Sequence, residues 1–247
     1  MNRIEDYSKL KDRIVDWLNY YVDSNNIKSL VVGVSGGIDS AVTSTLAAST
    51  GLPTYVLGMP ILQDKGQESL SDIHLSWLAQ NFHFNVTVRK FDLTSLFENF
   101  KSIMGEEFDT NHALANSRSR LRMVTLYQVA TVTQGLVVGT GNKVEDYGIG
   151  FYTKYGDGGV DIAPIADLYK TEVWELGKFM GIDSRIIEAQ PTDGLWDDGR
   201  TDEDQIGASY AELEEAMHHR TGPAVDILDK FSRINQHKMQ PIPTFLL

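Results

Sequence analysis

Short apolar runs alternate with helical patterns along this chain, and that alternation limits the folds available to it. The first run, residues 29–34, is rich in valine and has no polar–apolar alternation, which is typical of a strand covered on both faces. Similar runs follow at 54–59, 85–91 and 136–139, with helical stretches between them. Units of this kind form parallel sheets with right-handed crossovers. We therefore predict an α/β fold with a doubly wound, mostly parallel sheet flanked by helices.

The helical stretches show apolar residues at a spacing of three and four. The predicted helices cover residues 7–21, 41–49, 68–82, 93–104, 113–133, 169–180, 203–218 and 223–233. The stretch 141–164 is rich in Gly, Asp and Tyr, which favours a functional loop over a linker. Because no repeat or linker divides the chain, we predict a single domain over residues 1–247.

The composition excludes several classes of function. The 247 residues include 22 basic and 34 acidic side chains, and the net charge of −12 argues against a general nucleic-acid or anionic-membrane surface. The absence of cysteine excludes disulfides, thiolate metal sites and cysteine nucleophiles. No apolar run approaches the roughly 18 residues of a membrane span, and no signal-peptide core is visible. We therefore expect a cytoplasmic protein.

A glycine turn, Ser35-Gly36-Gly37-Ile38-Asp39-Ser40, lies between the first strand and its helix. The first amides of a helix have no intrahelical partner, so such a turn can bind an anion. A carboxylate at Asp39 would repel a bare phosphate, but it suits Mg²⁺ bridging phosphates. The alternative is an ordinary turn in which Asp39 caps the helix. The sequence fits neither the P-loop nor the G-x-G-x-x-G pattern.

This turn resembles the pyrophosphate loop of the N-type ATP pyrophosphatases, whose fold is adenine nucleotide alpha-hydrolase-like. Later segments resemble one branch of that group, the ammonia-dependent NAD synthetases. These segments are Gly139-Thr140-Gly141-Asn142-Lys143-Val144-Glu145, the block from Gly150 to Asp161, the block from Pro164 to Val173, Pro191-Thr192, Leu195-Trp196, Thr201-Asp202-Glu203 and His237-Lys238. The resemblance covers residues 29–245.

The resemblance implies roles for particular residues. It implies that Asp39 and Glu145 are Mg²⁺ ligands, and that these two residues and Lys170 are catalytic. It implies ATP contacts at Gly33, Val34, Ser35, Gly36, Gly37, Ile38, Asp39, Ser40, Thr140, Lys170 and Thr192. It implies deamido-NAD contacts at Arg120, Lys154, Asp161, His237 and Lys238. Without the resemblance, Lys170 would be a surface helix lysine, Glu145 a solvated carboxylate at a helix end, and the threonines turn or capping hydroxyls.

The implied reaction is the ATP-dependent amidation of deamido-NAD by ammonia, which gives NAD, AMP and pyrophosphate through an adenylated intermediate. Ammonia is the expected donor because the chain has no cysteine for a glutaminase site. Two alternatives are another amidating enzyme of the group, such as a GMP synthetase-like protein, and a non-catalytic nucleotide-binding protein on the same fold.

Other expectations concern assembly and loops. The resemblance implies a homodimer, with 113–133 as the candidate interface helix; the alternative is a buried core helix in a monomer. Arg118, Arg120 and Arg122 cannot all serve one site, because residues two apart do not share a helix face. Segment 194–205 is expected to act as a mobile lid. The chain departs from the family at Arg200, at Met239 and by one extra residue within 146–149.

Overall fold

The computed structural model of the chain describes residues 3–63, 65–192, 195 and 200–246. Its strands are β1 (Ser29–Gly33), β2 (Thr54–Gly58), β3 (Val86–Lys90) and β4 (Gly135–Val137). They form one sheet in the order β3-β2-β1-β4, and every neighbouring pair is parallel. Each strand overlaps the run predicted for it. The parallel α/β prediction is therefore confirmed.

Helices surround this sheet. The described α-helices are α1 (Tyr7–Ser24), α2 (Ile38–Ser49), α3 (Lys65–Asn81), α4 (Thr94–Met104), α5 (Asn111–Thr133), α6 (Lys170–Phe179), α7 (Ser184–Ile187), α8 (Asp202–Ile206), α9 (Tyr210–His219) and α10 (Val225–Met239). The stretch 203–218 forms two helices rather than the predicted one, because Gly207 ends α8 at a φ of 85° and the Ser209 side chain caps α9. None of the helices in the described ranges has the length and apolar character needed to cross a membrane.

Alternate residues of β1 belong to different core layers. Leu30 and Val32 pack with α1, α2, α6 and α7, whereas Val31 packs with α4 and α5. None of the three side chains is exposed to solvent. Burial on both faces explains why the run showed no polar–apolar alternation, and it confirms the doubly wound arrangement.

The chain changes direction across the sheet between β1 and β4. Strands β2 and β3 are added on one side of β1, and α4 and α5 then return the chain to the other side, where β4 pairs with β1. In open α/β sheets, ligands bind at the carboxyl ends of the strands at such a point. The glycine turn after β1 and the Gly139–Glu145 segment after β4 both begin at this edge.

The predicted loop at 141–164 contains a helical element that we did not expect. Residues Val144–Ile149 form a π-helix, in which the Gly150 amide donates to the Glu145 carbonyl five residues earlier. A π-turn holds one more residue than an α-turn, so it accommodates the extra residue predicted within 146–149. The turn packs closely on α10: a Cβ at Gly150 would lie 2.7 Å from the Asn235 Cβ and 3.1 Å from the Met239 sulfur.

Candidate active site

A cleft opens where β1, β2 and β4 end, and both predicted motifs line it. Of the residues that we assigned to ATP, those lining the cleft are Gly33, Val34, Ser35, Gly37, Asp39, Ser40, Thr140 and Thr192. The predicted metal ligand Glu145 also lines it. The Ile38 side chain does not, because it is 4% exposed and packs into the core under α2. Only the backbone of Ile38 could therefore serve a ligand.

The turn after β1 is shaped by its own glycine and serine residues. Gly36 adopts a φ of 95°, which favours glycine. The Ser40 hydroxyl accepts from the Ser35 amide at 3.1 Å and donates to the Gly37 carbonyl at 2.9 Å. Gly37 is the N-cap of α2 and offers no side chain to its first amides. The alternative in which Asp39 caps the helix is therefore wrong, and the helix start fits an anion.

Asp39, Glu145 and Lys170 come from three separate segments and meet in one cluster. The start of α2, the π-helix and the start of α6 bring them together. The Lys170 ammonium donates to an Asp39 carboxylate oxygen and lies 3.4 Å from a Glu145 oxygen. The Lys170 side chain is only 3% exposed. Its alternative interpretation as a surface helix lysine is therefore wrong.

Asn142 and Tyr210 complete the hydrogen bonds of this acid pair. The Asn142 side-chain amide lies 3.4 Å from Asp39 Oδ1, and its backbone amide donates to Glu145 Oε2 at 3.3 Å. The Tyr210 hydroxyl donates to Glu145 Oε1 at 2.7 Å, and its ring centroid lies 4.7 Å from the Lys170 ammonium. Each carboxylate oxygen of the pair thus has a partner within the protein.

Burial and charge act in opposite directions on the ionisation of this cluster. Burial raises the pKa of Asp39, and the Lys170 ammonium opposes that effect. Burial alone would lower the pKa of Lys170, but the carboxylates of Asp39, Glu145 and Asp202 raise it above its usual value. Burial and the same carboxylates raise the pKa of Tyr210, which therefore stays a neutral hydrogen-bond donor. Lys170 is accordingly a fixed positive charge at neutral pH.

Asp146 and Asp157 are among the further acids that line the same cleft. Burial raises the pKa of Asp146 to about 7, and the charges of Glu145, Asp157 and Asp39 add to the effect. Burial also raises the pKa of Asp157, although hydrogen bonds from the Ser119 hydroxyl and the Thr153 amide oppose it. We had assigned neither acid. Their sequence context explains why. Asp157 lies in a glycine-rich run typical of a turn, and Asp146 lies in the segment 146–149, which is predicted to contain an extra residue.

The three arginines of α5 point to different places, which fits their expected division. Arg118 donates to the Leu195 carbonyl. Arg122 donates to the Met59 carbonyl at 3.0 Å and to the Gln63 side chain at 2.8 Å, and it lines the cleft. Arg120 faces the Lys154 carbonyl at 3.4 Å. We had not assigned Arg122 to a site.

Apolar residues that we had also left unassigned line the cleft beside Arg122. They include Met59, from the loop after β2, and Leu126, from α5. The rule that ligands bind at strand carboxyl ends could have identified Met59. Leu126 has the pattern of any core residue, so its sequence carries no such signal.

Four of the five residues predicted for deamido-NAD form a basic group outside the cleft lining. The Lys154 ammonium donates to the His237 carbonyl at 3.2 Å, and the Lys238 ammonium donates to the Tyr152 carbonyl at 2.7 Å. Arg120 contacts Lys154, and Tyr152 lines the cleft, so the group borders the opening. We name Arg120, Lys154, His237 and Lys238 the basic group.

Asp161, the fifth residue, lies apart from this group. Its carboxylate accepts from the Tyr127 hydroxyl at 2.9 Å and from the Val137 amide at 2.8 Å. These bonds hold the segment around Asp161 against the end of β4. The structure therefore gives Asp161 a structural role, and its predicted substrate contact stays a prediction.

Of the lid predicted at 194–205, residues 194 and 196–199 lie outside the described residues, and α8 begins within the rest of it. The Thr192 hydroxyl donates to the Arg200 carbonyl at 3.3 Å, and the Asp202 amide donates to the Pro191 carbonyl at 3.0 Å. These contacts bring residues 191–192 and 200–202 together at the cleft, and the mobility of the lid stays a prediction.

Comparisons with known proteins agree on one family. The family model described as NAD synthase matches residues 10–244. The chain is 35% identical to the NH(3)-dependent NAD(+) synthetase of Methanosarcina mazei, over 96% of this chain and 98% of that protein. The solved NMN synthetase of Francisella tularensis superposes with a TM-score of 0.90 at 31% identity, over 99% of this chain and 100% of that one. The NH3-dependent NAD synthetase of Campylobacter jejuni, solved with a nitrate ion, gives a TM-score of 0.77 at 25% identity, over 99% and 100% of the two chains.

Proposed function

The chain belongs to the NAD synthase family, and from this we propose that it amidates deamido-NAD with ammonia at the expense of ATP. The nicotinate carboxylate attacks the α-phosphorus of ATP, and pyrophosphate leaves. Ammonia then attacks the adenylated carbonyl, and NAD and AMP are released. One observation carries the assignment: Asp39, Glu145 and Lys170 meet beside an anion-binding helix start in a cleft at the topological switch point.

The phosphates of ATP fit the turn between β1 and α2. The uncapped amides at the start of α2 supply hydrogen-bond donors, and the helix dipole favours negative charge there. Lys170 adds a fixed positive charge, which would stabilise the charge that builds on the α-phosphate in the transition state. The apolar side chains of Met59 and Leu126 offer a surface for the adenine ring on the other side of the same cleft.

The donor set at Asp39 and Glu145 fits Mg²⁺. Both ligands are carboxylates, and among the described residues no group of three or more potential protein ligands occurs. The phosphates of ATP and water would therefore complete an octahedral shell, which is how Mg²⁺ is usually bound. When bound, the ion would offset phosphate charge. Since Lys170 now compensates both carboxylates, it would have to move toward the phosphates when the ion binds.

The basic group offers a site for the phosphates of the second substrate. Its four residues, which are cationic or ionisable, border the opening of the cleft in a chain whose net charge is −12. Burial lowers the pKa of Lys238, and a bound anion would act against that effect by favouring the charged ammonium. Asp161 would add a contact to a neutral polar group such as a ribose hydroxyl.

Ammonia is the proposed nitrogen donor. The chain has no cysteine, and the relative from Methanosarcina mazei is named for its dependence on NH(3). Purified protein should therefore form NAD with ammonium and not with ammonia-free glutamine. Equal yields from the two donors would contradict this assignment.

A second candidate substrate is nicotinic acid mononucleotide. The solved NMN synthetase of Francisella tularensis superposes with a TM-score of 0.90, compared with 0.77 for the Campylobacter jejuni NAD synthetase. A mononucleotide would present the same nicotinate carboxylate to the cleft and a terminal phosphate to the basic group. The chemistry of amidation would be unchanged.

One assay decides among these substrates. Protein, ATP, Mg²⁺ and ammonium are incubated with deamido-NAD or with the mononucleotide, and the products are followed by mass spectrometry. The proposal requires amidated product together with AMP and pyrophosphate. The ratio of kcat/KM for the two acids identifies the preferred substrate. Neither product, at any Mg²⁺ concentration, would refute the enzymatic assignment and favour a nucleotide-binding protein.

We further propose a homodimer formed through α5. Val124 is 58% exposed and Val132 is 74% exposed, which argues against the alternative of a fully buried helix. Arg120, Val124, Gln128 and Val132 follow one another at four-residue intervals on the exposed side of α5. A two-fold contact along this stripe would place Arg120 at the seam.

A further inference from the structure

The side chain of Arg3 reaches from the N-terminal segment to the start of α6. Its guanidinium makes a two-point contact with Glu172, with nitrogen–oxygen distances of 2.9 and 2.7 Å, and it also donates to the Asp167 carbonyl at 2.7 Å. It lies 4.6 Å above the centre of the Tyr169 ring. This geometry is the two-pronged contact in which arginine is stronger and more specific than lysine.

Glu172 is the residue through which this contact reaches the active site. Its carboxylate accepts from the Tyr169 amide at 2.8 Å and so caps the first turn of α6. Lys170 is the first residue of that helix. On the other side, Glu214 accepts from the Thr171 amide at 3.0 Å and from its hydroxyl at 2.6 Å. Both neighbours of Lys170 are thus tied by buried or half-buried carboxylates.

The capping carboxylate depends on its arginine. The Glu172 side chain is 8% exposed, whereas Arg3 is 29% exposed. Removing Arg3 leaves a largely buried carboxylate without the cation that balances it, and such a group reorganises toward water or takes up a proton. Either change weakens the cap on the turn that carries Lys170.

We propose that Arg3 is a positioning residue for Lys170, acting through Glu172 and the first turn of α6. This inference rests on the proposed role of Lys170 at the α-phosphate. Arg3 itself touches no cleft residue in these contacts; it fixes the turn of α6 from which the Lys170 side chain reaches the phosphates. A small displacement of such a group lowers the rate more than it lowers ground-state binding.

The variant Arg3→Gln removes both the charge and the two-point contact with Glu172, and Arg3→Lys keeps the charge with a single point of contact. Asp6→Ala is the matched control, because Asp6 caps α1 through the Lys9 amide and loosens the same N-terminal region without touching α6. All three are assayed with the acid substrate that the wild-type protein prefers, well below their melting temperatures. We expect Arg3→Gln to lower kcat by about five- to tenfold with the KM for ATP within about twofold of the wild type.

We expect Arg3→Lys to recover part of kcat and Asp6→Ala to keep it within about twofold of the wild type while it lowers the melting temperature. A double-mutant cycle separates positioning from general loosening. If Arg3 acts through Lys170, then Arg3→Gln should cause little further loss in a Lys170→Gln background, where residual turnover is followed by mass spectrometry. An unchanged kcat in Arg3→Gln, or an equal loss in both backgrounds, overturns the inference. Absence of turnover in the wild-type protein would instead refute the proposed function.

Discussion

Acid should loosen this protein through one buried histidine behind the phosphate turn. His74 lies on α3, is 1% exposed, and stacks on Trp77 with ring centroids 5.6 Å apart. Its Nε2 atom is 3.0 Å from the hydroxyl of Ser44, on the helix that begins at the turn. Burial lowers the pKa of His74 to about 4 from an ordinary value of 6.5. Folding therefore holds this ring neutral over a range in which the unfolded chain binds a proton.

The sign and the size follow from proton linkage. Between pH 6.5 and pH 4 the unfolded state binds more protons at this site, so stability falls as the pH falls. The two pKa values differ by about 2.5, which corresponds to about 3.4 kcal/mol at the acid limit and to about 2 kcal/mol at pH 5. Above pH 7 the contribution vanishes. The group is nearly fully buried, so solvent screening removes little of it.

The variant His74→Gln isolates this contribution. The free energy of unfolding of wild type and variant is measured in urea at pH 7.5 and at pH 5, at one protein concentration. The change between the two pH values is then compared for the two proteins. The wild type should lose about 2 kcal/mol more than the variant between the two pH values. The buried acids, whose raised pKa values act in the opposite direction, are common to both proteins and cancel. His83→Gln, at an exposed position of the same region, is the control and should follow the wild type.

Equal pH dependence of wild type and His74→Gln would refute the argument, because it would mean that the unfolded and folded states bind the proton equally. A variant that is less stable by the same amount at both pH values would point to lost packing alone. Loss of ATP binding at pH 5 in the wild type but not in His74→Gln would connect the same protonation to the turn that α2 and α3 support, because the cleft acids are common to both proteins.

The remaining predictions concern the cleft and the assembly. Asp39→Asn and Glu145→Gln should each lower turnover by about a hundredfold or more while the circular dichroism spectrum stays native, because each removes a charge that would hold Mg²⁺. Near-normal turnover of either variant at low Mg²⁺ would exclude that residue as a ligand. Lys170→Met should bind Mn²⁺ more tightly than the wild type without ATP, as followed by electron paramagnetic resonance, since the ammonium contacts both carboxylates. The control Lys143→Met, whose ammonium pairs with Asp167 instead, should not, and equal affinities of Lys170→Met and wild type would contradict the competition. Val124→Asp should shift sedimentation toward a monomer and weaken binding of the preferred acid substrate more than binding of ATP; a fully active monomeric wild type would refute the shared interface.

Local patterns carried enough information to predict the sheet and the turn, whereas the acid pair was assigned from the family resemblance. A run such as 29–34 must be buried on both faces, and the carboxyl ends of adjacent parallel strands necessarily share one edge. The Asp39 and Glu145 segments were therefore bound to approach each other. Contacts that depend on distant helices carried no such signal. Tyr210 follows Glu145 by 65 residues and has the pattern of a core aromatic on α9, so only the packed structure shows its hydroxyl at 2.7 Å from that carboxylate.

The π-helix marks a different limit of sequence-based prediction. Its residues repeat neither at the α-helical period nor at the strand period, so the stretch was predicted as a loop. Its effect on the cleft is visible only in three dimensions. A Cβ at Gly141 would overlap an Asp146 carboxylate oxygen, so the position of Asp146 depends on the glycine.

The acids of the cleft bear on how an anionic substrate can enter it. Among the residues that the structure describes, six acids line the cleft, whereas Lys90 and Arg122 line it with positive charge and Lys170 adds a third through its contact with Asp39; the acids are Asp39, Glu68, Glu145, Asp146, Asp157 and Asp202. Free ATP would meet like charges in a partly buried space, where they are poorly screened. Asp39 and Glu145 would hold the metal of an ATP complex, whose positive charge would offset theirs and leave the Lys170 ammonium to the phosphates. The arrangement therefore favours nucleotide and metal arriving together, and an acidic cleft becomes a selective site for the complex rather than an obstacle to an anion.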